Sequence, residues 1–155
     1  MSELSIGDAA PAFSLPSNGG GTLSLANLAG KKVVLYFYPK DDTSGCTAEA
    51  VAFTALASDF EQANAVVIGI SPDSVKSHDK FAAKHNLTVA LAADEDKVAC
   101  QAYGVWKEKS MYGKTYMGVE RSTFLIDPAG KIAAIWPKVK VPGHAEVVLQ
   151  AVRAL

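Results

Sequence analysis

The hydrophobic positions of this chain form short apolar blocks separated by amphipathic stretches. Val33-Val34-Leu35-Tyr36-Phe37-Tyr38 is β-branched and aromatic throughout, and Val66-Val67-Ile68-Gly69-Ile70 has the same character. Continuous apolar blocks of this length predict strands covered on both faces. Between them Phe53, Leu56 and Phe60 recur at helical spacing. They predict a helix from about Cys46 to Gln62 that turns those three residues to the core. Ser74 to His85 predicts a second helix and Val89 to Leu91 a short strand. A third helix, capped by Asp94 or Asp96, runs to about Tyr103. The rhythm then changes. Ser122 to Ile126 and Lys131 to Trp136 flank Asp127-Pro128-Ala129-Gly130, a hairpin signal, and a last helix covers about Ala145 to Ala154.

Strands alternating with helices predict an α/β sheet covered on both faces, and the added antiparallel hairpin makes it mixed. This is a thioredoxin-like arrangement. Near the start, Asn18-Gly19-Gly20-Gly21 precedes a strand-like Thr22-Leu23-Ser24-Leu25. A glycine run that leads into a strand predicts a turn, and so an N-terminal β-hairpin extension, whereas a phosphate cradle would open a helix. Its 155 residues fit a single domain spanning 1–155.

Composition narrows the function. The formal net charge is -1 and lysine and arginine form no dense run, so no nucleic-acid partner and no anionic membrane surface is expected. The apolar blocks are far shorter than the roughly 20 residues of a membrane helix. The opening MSELSIGDAAPAF has neither a basic region nor a continuous apolar stretch, which speaks against a signal peptide. With only two cysteines, the expectation is a cytoplasmic, reducing setting. A cysteine there is catalytic, metal-binding or buried rather than permanently cross-linked. His78, His85 and His144 are scattered, with no spacing that would bring two onto one helix face as a metal pair, so neither a metal nor another cofactor is expected.

The informative segment is Tyr38-Pro39-Lys40-Asp41-Asp42-Thr43-Ser44-Gly45-Cys46-Thr47-Ala48-Glu49. It joins a buried strand to an amphipathic helix and puts Cys46 in the first helical turn. Free backbone N–H groups there favour a thiolate over a thiol, and the thiolate is the nucleophile. The same groups can hold an oxygen under attack. On its residues alone Cys46 is either such a nucleophile or a space-filling buried thiol. Its place beyond the end of a central strand, where open α/β sheets bind ligands, favours the first.

Pro39-x-x-x-Thr43-x-x-Cys46 matches the peroxiredoxin signature, and YFYPKDDTSGCTAEA resembles the bacterioferritin comigratory protein (PrxQ) group. Further matches follow in order: Gly69-Ile70-Ser71-x-Asp73-Ser74, Tyr103-Gly104-Val105-Trp106, Tyr112-Gly113-Lys114, Arg121 to Asp127, and Val139 to His144. The resemblance implies a thiol peroxidase whose peroxidatic cysteine is Cys46. Thr43 would hydrogen-bond the thiolate and orient the peroxide, and Arg121 would stabilise negative charge on sulfur and on the transition state. Pro39 would wall the pocket, and Glu49 would fix the guanidinium.

The chain departs from this pattern in two ways. Ser44 stands where relatives usually have proline, a small change because serine also starts helices. The positions where relatives carry a resolving cysteine are Val51 and Ala82. Cys100 is read as core filler, which leaves a one-cysteine cycle. An external thiol such as thioredoxin, glutaredoxin or a low-molecular-weight thiol must then reduce the sulfenic acid. Peroxide is the substrate and the chain is expected to be a monomer. Trp106, Trp136 and Tyr112 either line the substrate entrance or serve as packing. A thiol–disulfide oxidoreductase lacks support, since Glu49 replaces the second cysteine of Cys-x-x-Cys. The alternative is a redox-sensing or binding module switched by Cys46 oxidation.

Overall fold

The computed structural model describes residues 4–155, so the first residues of the segment read for an export signal lie outside it. An N-terminal hairpin comes first, β1 (Ser14–Pro16) and β2 (Thr22–Ser24). β3 (Lys32–Phe37) leads to α1 (Ser44–Ala55) and α2 (Ala57–Gln62), then β4 (Ala65–Ser71) and α3 (Val75–His85). β5 (Ala90–Ala93) and α4 (Val98–Ala102) follow, then the ribbon β6 (Trp106–Met111) and β7 (Lys114–Val119). β8 (Ser122–Ile126), β9 (Ile132–Trp136) and α5 (His144–Ala154) complete the fold.

The central sheet has five strands in the order β5-β4-β3-β8-β9. β3, β4 and β5 run parallel, while β8 pairs antiparallel with both β3 and β9. This is the mixed thioredoxin-like sheet expected, with the N-terminal hairpin as a separate extension. Alternation along β3 divides the interior into two cores. Val34, Tyr36 and Tyr38 pack with Phe53, Phe60, Phe81, Val148 and Val152 from α1, α2, α3 and α5. Val33, Leu35 and Phe37 pack with Phe13, Ala99, Cys100 and Tyr103 on the other side. Each helix thus buries its apolar face on the sheet, which supplies most of its stability.

Three departures from the expected elements have physical causes. The helix expected over 46–62 begins at Ser44 and breaks at Leu56, whose N–H bonds to Phe53 O. Phe53 and Phe60 stay buried on either side of the break, so their spacing does not betray it. Asp94 caps α4 as expected but from four residues upstream, accepting from the N–H groups of Ala99 and Cys100 at 3.2 and 2.8 Å. The β6–β7 ribbon was not anticipated. Its turn residues Tyr112 and Gly113 both have positive φ, 52° and 76°, as a two-residue hairpin loop of type I′ requires. Among the described residues, no helix is long and apolar enough to cross a membrane.

Gly69 in β4 lets Tyr36 lie flat across the sheet. A Cβ at position 69 would meet the Tyr36 ring carbon and hydroxyl at 2.6 and 2.7 Å and Leu91 at 3.0 Å. Tyr36 is fully buried and stacked on both Tyr38 and Phe53, so it has nowhere to go. Gly69→Ala should therefore lower stability by about 2–3 kcal/mol, at the upper part of the overpacking range. A urea melt that shifts by less than about 0.5 kcal/mol would show that Tyr36 can move aside.

Candidate active site

Phe37 at the end of β3 pairs with Ser122 at the start of β8. That antiparallel register brings Arg121 to the end of β3 where the chain turns into α1. Cys46 and Glu49 stand three residues apart on α1 and so share one face of it. Both point at the arginine. Arg121 Nη1 donates to Glu49 Oε1 at 2.7 Å, and Nη2 donates to Cys46 Sγ at 3.3 Å. Gly45 makes this approach possible, because a Cβ there would lie 3.1 Å from Nη2. A glycine directly before the cysteine was visible in the sequence, but its reason was not.

Cys46 and Glu49 are each only 1% exposed, and Glu49 Oε2 is buried without a hydrogen-bond partner. Burial pushes the Glu49 carboxyl up to about 7, against the opposing pull of Arg121. Burial opposes the charge on Arg121, but Cys46 and Glu49 together outweigh it and hold the guanidinium above its ordinary value. On the far side of Arg121, His144 Nε2 lies 2.8 Å from Thr123 Oγ1. Burial first, and then the arginine's charge, lowers His144 to about 4, so it is neutral at physiological pH. The site thus concentrates positive charge in one guanidinium aimed at one sulfur.

Thr43 is the N-cap residue of α1, but its side chain accepts no bond from the first turn. Its hydroxyl donates to the Lys40 carbonyl at 2.9 Å instead of to the Cys46 sulfur as expected. The oxygen's lone pairs remain available as acceptors. Pro39 is half-buried in the segment between β3 and α1. Ser44 is the first residue of α1, consistent with a serine start.

Cys100 lies in the other core, on the opposite side of β3 from Cys46. Both cysteines are unpaired. Burial, followed by the nearby Asp94 carboxylate, pushes the Cys100 thiol far up. Val51 is exposed on α1 and Ala82 is partly buried against the first core. Of the aromatics read as entrance or packing, Tyr112 is fully out in solvent at the ribbon's tip and Trp136 packs edge-on against His144. Trp106 stacks beneath Lys97. Among the described residues, no three histidine, cysteine or acidic side chains converge as a metal site.

The sequence reading missed a buried polar cluster beside this site. Asp41 Oδ2 lies 2.7 Å from His78 Nδ1, and Asp41 Oδ1 accepts from the Tyr38 hydroxyl at 2.6 Å. The same-helix test applied to the histidines could not find a contact made between a loop and a helix.

The AhpC/TSA family model matches residues 6–135. A Bcp chain of Coxiella burnetii is 55% identical over 146 residues, covering 94% of this chain and 97% of its own. Peroxiredoxin Bcp of Xanthomonas campestris is 50% identical over 147 residues, covering 94% and 92%. The solved structure of a PrxQ cysteine-to-serine mutant from Xylella fastidiosa superposes with a TM-score of 0.94 at 46% identity, covering 99% of this chain and 98% of that one. The X. campestris bacterioferritin comigratory protein, 48% identical with a TM-score of 0.88 over 92% and 90% of the chains, is described for alkyl peroxide reduction. A buried sulfur held by an arginine–glutamate pair at a helix start, on this sheet and in this company, means that the chain belongs to the AhpC/TSA family as a peroxiredoxin of the Bcp (PrxQ) group.

Proposed function

We propose that Cys46 is the peroxidatic sulfur of this thiol peroxidase and that its substrates are hydrogen peroxide and organic hydroperoxides. The observation that carries the assignment is the 3.3 Å contact from Arg121 to the buried Cys46 Sγ. The Cys46 thiolate attacks the terminal oxygen of R–O–OH. An S–O bond forms, the O–O bond breaks, and the sulfur becomes a sulfenic acid while the departing RO⁻ takes a proton and leaves as ROH. Arg121 stabilises the negative charge before and during transfer. Thr43 accepts from the peroxide O–H, Pro39 walls the pocket, and Glu49 holds the guanidinium in its orientation. The alkyl peroxide reduction of the Xanthomonas relative supports organic hydroperoxides as substrates.

The regenerating thiol comes from outside the chain. With Cys100 across the sheet and no thiol at Val51 or Ala82, the sulfenic acid condenses with thioredoxin, glutaredoxin or a small thiol and releases water. A second thiol then frees Cys46 as the thiol and leaves with the first as a disulfide. Two buried, unpaired cysteines suit a reducing cytoplasm. Both cores share the single strand β3, which supports one domain, and α5 buries its apolar residues on the chain's own core, which favours a monomer. A redox switch would react once, whereas this enzyme turns over many equivalents of peroxide when reductant is added.

Cys46→Ser should abolish turnover, because serine offers no accessible anion at neutral pH. Cys100→Ser should keep most of it. One equivalent of peroxide without reductant should leave Cys46 trappable by dimedone. Non-reducing peptide mapping should find no Cys46–Cys100 crosslink, since disulfide geometry needs Cα atoms within about 7 Å. A high-yield crosslink in monomeric protein, or equal activity loss in both variants, would overturn the one-cysteine cycle.

Glu49→Gln provides a separate check on the charged pair. The Glu49 carboxyl rises from 4.5 to about 7 on folding, so between those values the folded chain holds a proton that the unfolded chain has released. Its contribution to stability therefore falls as pH climbs through that window and is constant above it. Glutamine cannot ionise. The variant should gain on the parent by on the order of 3 kcal/mol between pH about 4.5 and 7. It should also lose peroxide reactivity by about tenfold as Arg121 loses its anionic anchor. Denaturation curves across that range that run parallel for both proteins would show that Glu49 ionises alike folded and unfolded.

A further inference from the structure

The segment between β3 and α1 borders the reactive sulfur, and its polar anchors run to one side. Asp41 Oδ1 accepts from the Tyr38 hydroxyl at 2.6 Å, while Oδ2 accepts from Ser77 Oγ at 2.8 Å and lies 2.7 Å from His78 Nδ1. The Asp41 N–H donates to Asp73 Oδ2 at 2.8 Å, and that oxygen also takes the Ser71 hydroxyl at 2.7 Å. Next along the chain, Asp42 adopts a left-handed φ of 61° and pairs with Lys84 and His85 at 2.7 and 2.9 Å. All of these partners outside the segment and β3 belong to β4, to α3 or to the turn joining them.

His78 is fully buried, and its Nε2 faces the Ala92 carbonyl of β5 at 3.0 Å. A carbonyl only accepts, so Nε2 carries hydrogen. Nδ1 lies 2.7 Å from the Asp41 carboxyl, so both ring nitrogens are engaged. The ring thereby ties the segment to the edge strand through α3, with a short hydrogen bond to Asp41. Outside the clasp is a cleft of about 580 Å³ lined by Asp41, Asp42, Ser74, Ser77 and Phe81, so no other protein layer presses the segment down. On the opposite side, the contact from Arg121 to Cys46 and Glu49 holds the same helix start.

We propose that Asp41 and His78 are positioning residues for the peroxidase: their buried pair clasps residues 39–43 to α3 and β5, which holds Thr43 and the first turn of α1 against Arg121 and keeps thiol reductants from the sulfur. This rests on Cys46 as the reacting sulfur. A peroxide is small enough to reach a sulfur that is 1% exposed, but a thiol bringing its own sulfur in line needs the segment to lift. The clasp therefore favours oxidation and opposes reduction. Weakening it should move the two half-reactions in opposite directions, which a general loss of packing cannot do.

The test separates the half-reactions in His78→Gln and Asp41→Asn. Stopped-flow oxidation of Cys46 by hydrogen peroxide should slow about tenfold in each. Reduction of the preformed sulfenic acid by 2-mercaptoethanol should quicken about fivefold. The double variant should resemble the single ones, because both act through one contact. Ser77→Ala keeps the pair but deletes one donor to Asp41, and it should show the same opposed changes at two- to threefold, so the test survives if a larger substitution fails to fold. Oxidation within twofold of the parent in the folded His78→Gln or Asp41→Asn protein, or within about 1.5-fold in Ser77→Ala, or reduction that fails to quicken, would overturn the clasp. Peroxidase turnover surviving Cys46→Ser would instead overturn the assignment of the sulfur, a result read from a different variant.

Discussion

The half-buried guanidinium of Arg121 is the constraint around which the rest of the site is arranged. A carboxylate as enclosed as Glu49, with one oxygen unpartnered, is tolerable only because a cation lies 2.7 Å from the other. The cation in turn is tolerable because α1 presents Glu49 and Cys46 together, one helical turn apart. Neither half of this arrangement is local. Arg121 lies 75 residues from Cys46, and only the antiparallel register of β8 on β3 closes that distance. Gly45 eases it, since a Cβ there would press on the guanidinium at 3.1 Å. Fold and chemistry meet at this contact, because the strand pairing that buries the sheet also delivers the charge.

The same sheet separates the fates of two identical side chains. Residues alternate across β3, so Cys46 joins the core of Tyr36 and Tyr38 and Cys100 joins that of Leu35 and Phe37. The first thiol faces a guanidinium. The second is buried beside the Asp94 carboxylate, and burial first and that charge second keep it a neutral thiol and so a poor nucleophile.

How much of this could be read from the chain follows from which interactions are periodic. The central strands and α3 were legible because strands covered on both faces are continuous apolar blocks, and Ser74 caps its helix through the Ser77 N–H as a serine there should. The β6–β7 ribbon was not, because it stands apart from the main sheet and most of its side chains meet water, leaving only the Tyr112-Gly113 turn as a signal. The break at Leu56 was hidden because both sides of it keep an aromatic residue in the core. In the site, Cys46, Glu49, Thr43 and Arg121 came from a motif and a resemblance, and the structure brings Arg121 to both Cys46 and Glu49. The Thr43 bond to Lys40 differs because a cap side chain chooses among nearby carbonyls by geometry that spacing does not encode. Asp41 and His78 were invisible for a related reason: a histidine's partners are set by which loop folds over it.

These features together define what the site must reconcile. A thiolate reacts well with peroxide when water is excluded and donors are fixed in advance, and α1 with Arg121 provides both. The same enclosure obstructs any larger thiol that must restore the sulfur. Chains with a second cysteine nearby can meet that demand internally, but here Val51 points to solvent and Ala82 packs against the first core, so neither position supplies sulfur. In the proposed one-cysteine cycle the reductant enters from outside at the N-terminal edge of α1, beside Pro39 and Thr43. In the proposed clasp, polar anchors on α3 govern movement of that edge, since Asp41 and Asp42 line an open cleft. Hydrogen bonds and ion pairs of this kind open locally without unfolding either core. The chain can therefore keep a rigid sheet for its chemistry and a releasable edge for its recovery, with the division between them falling between the Asp41 side chain and the start of α1.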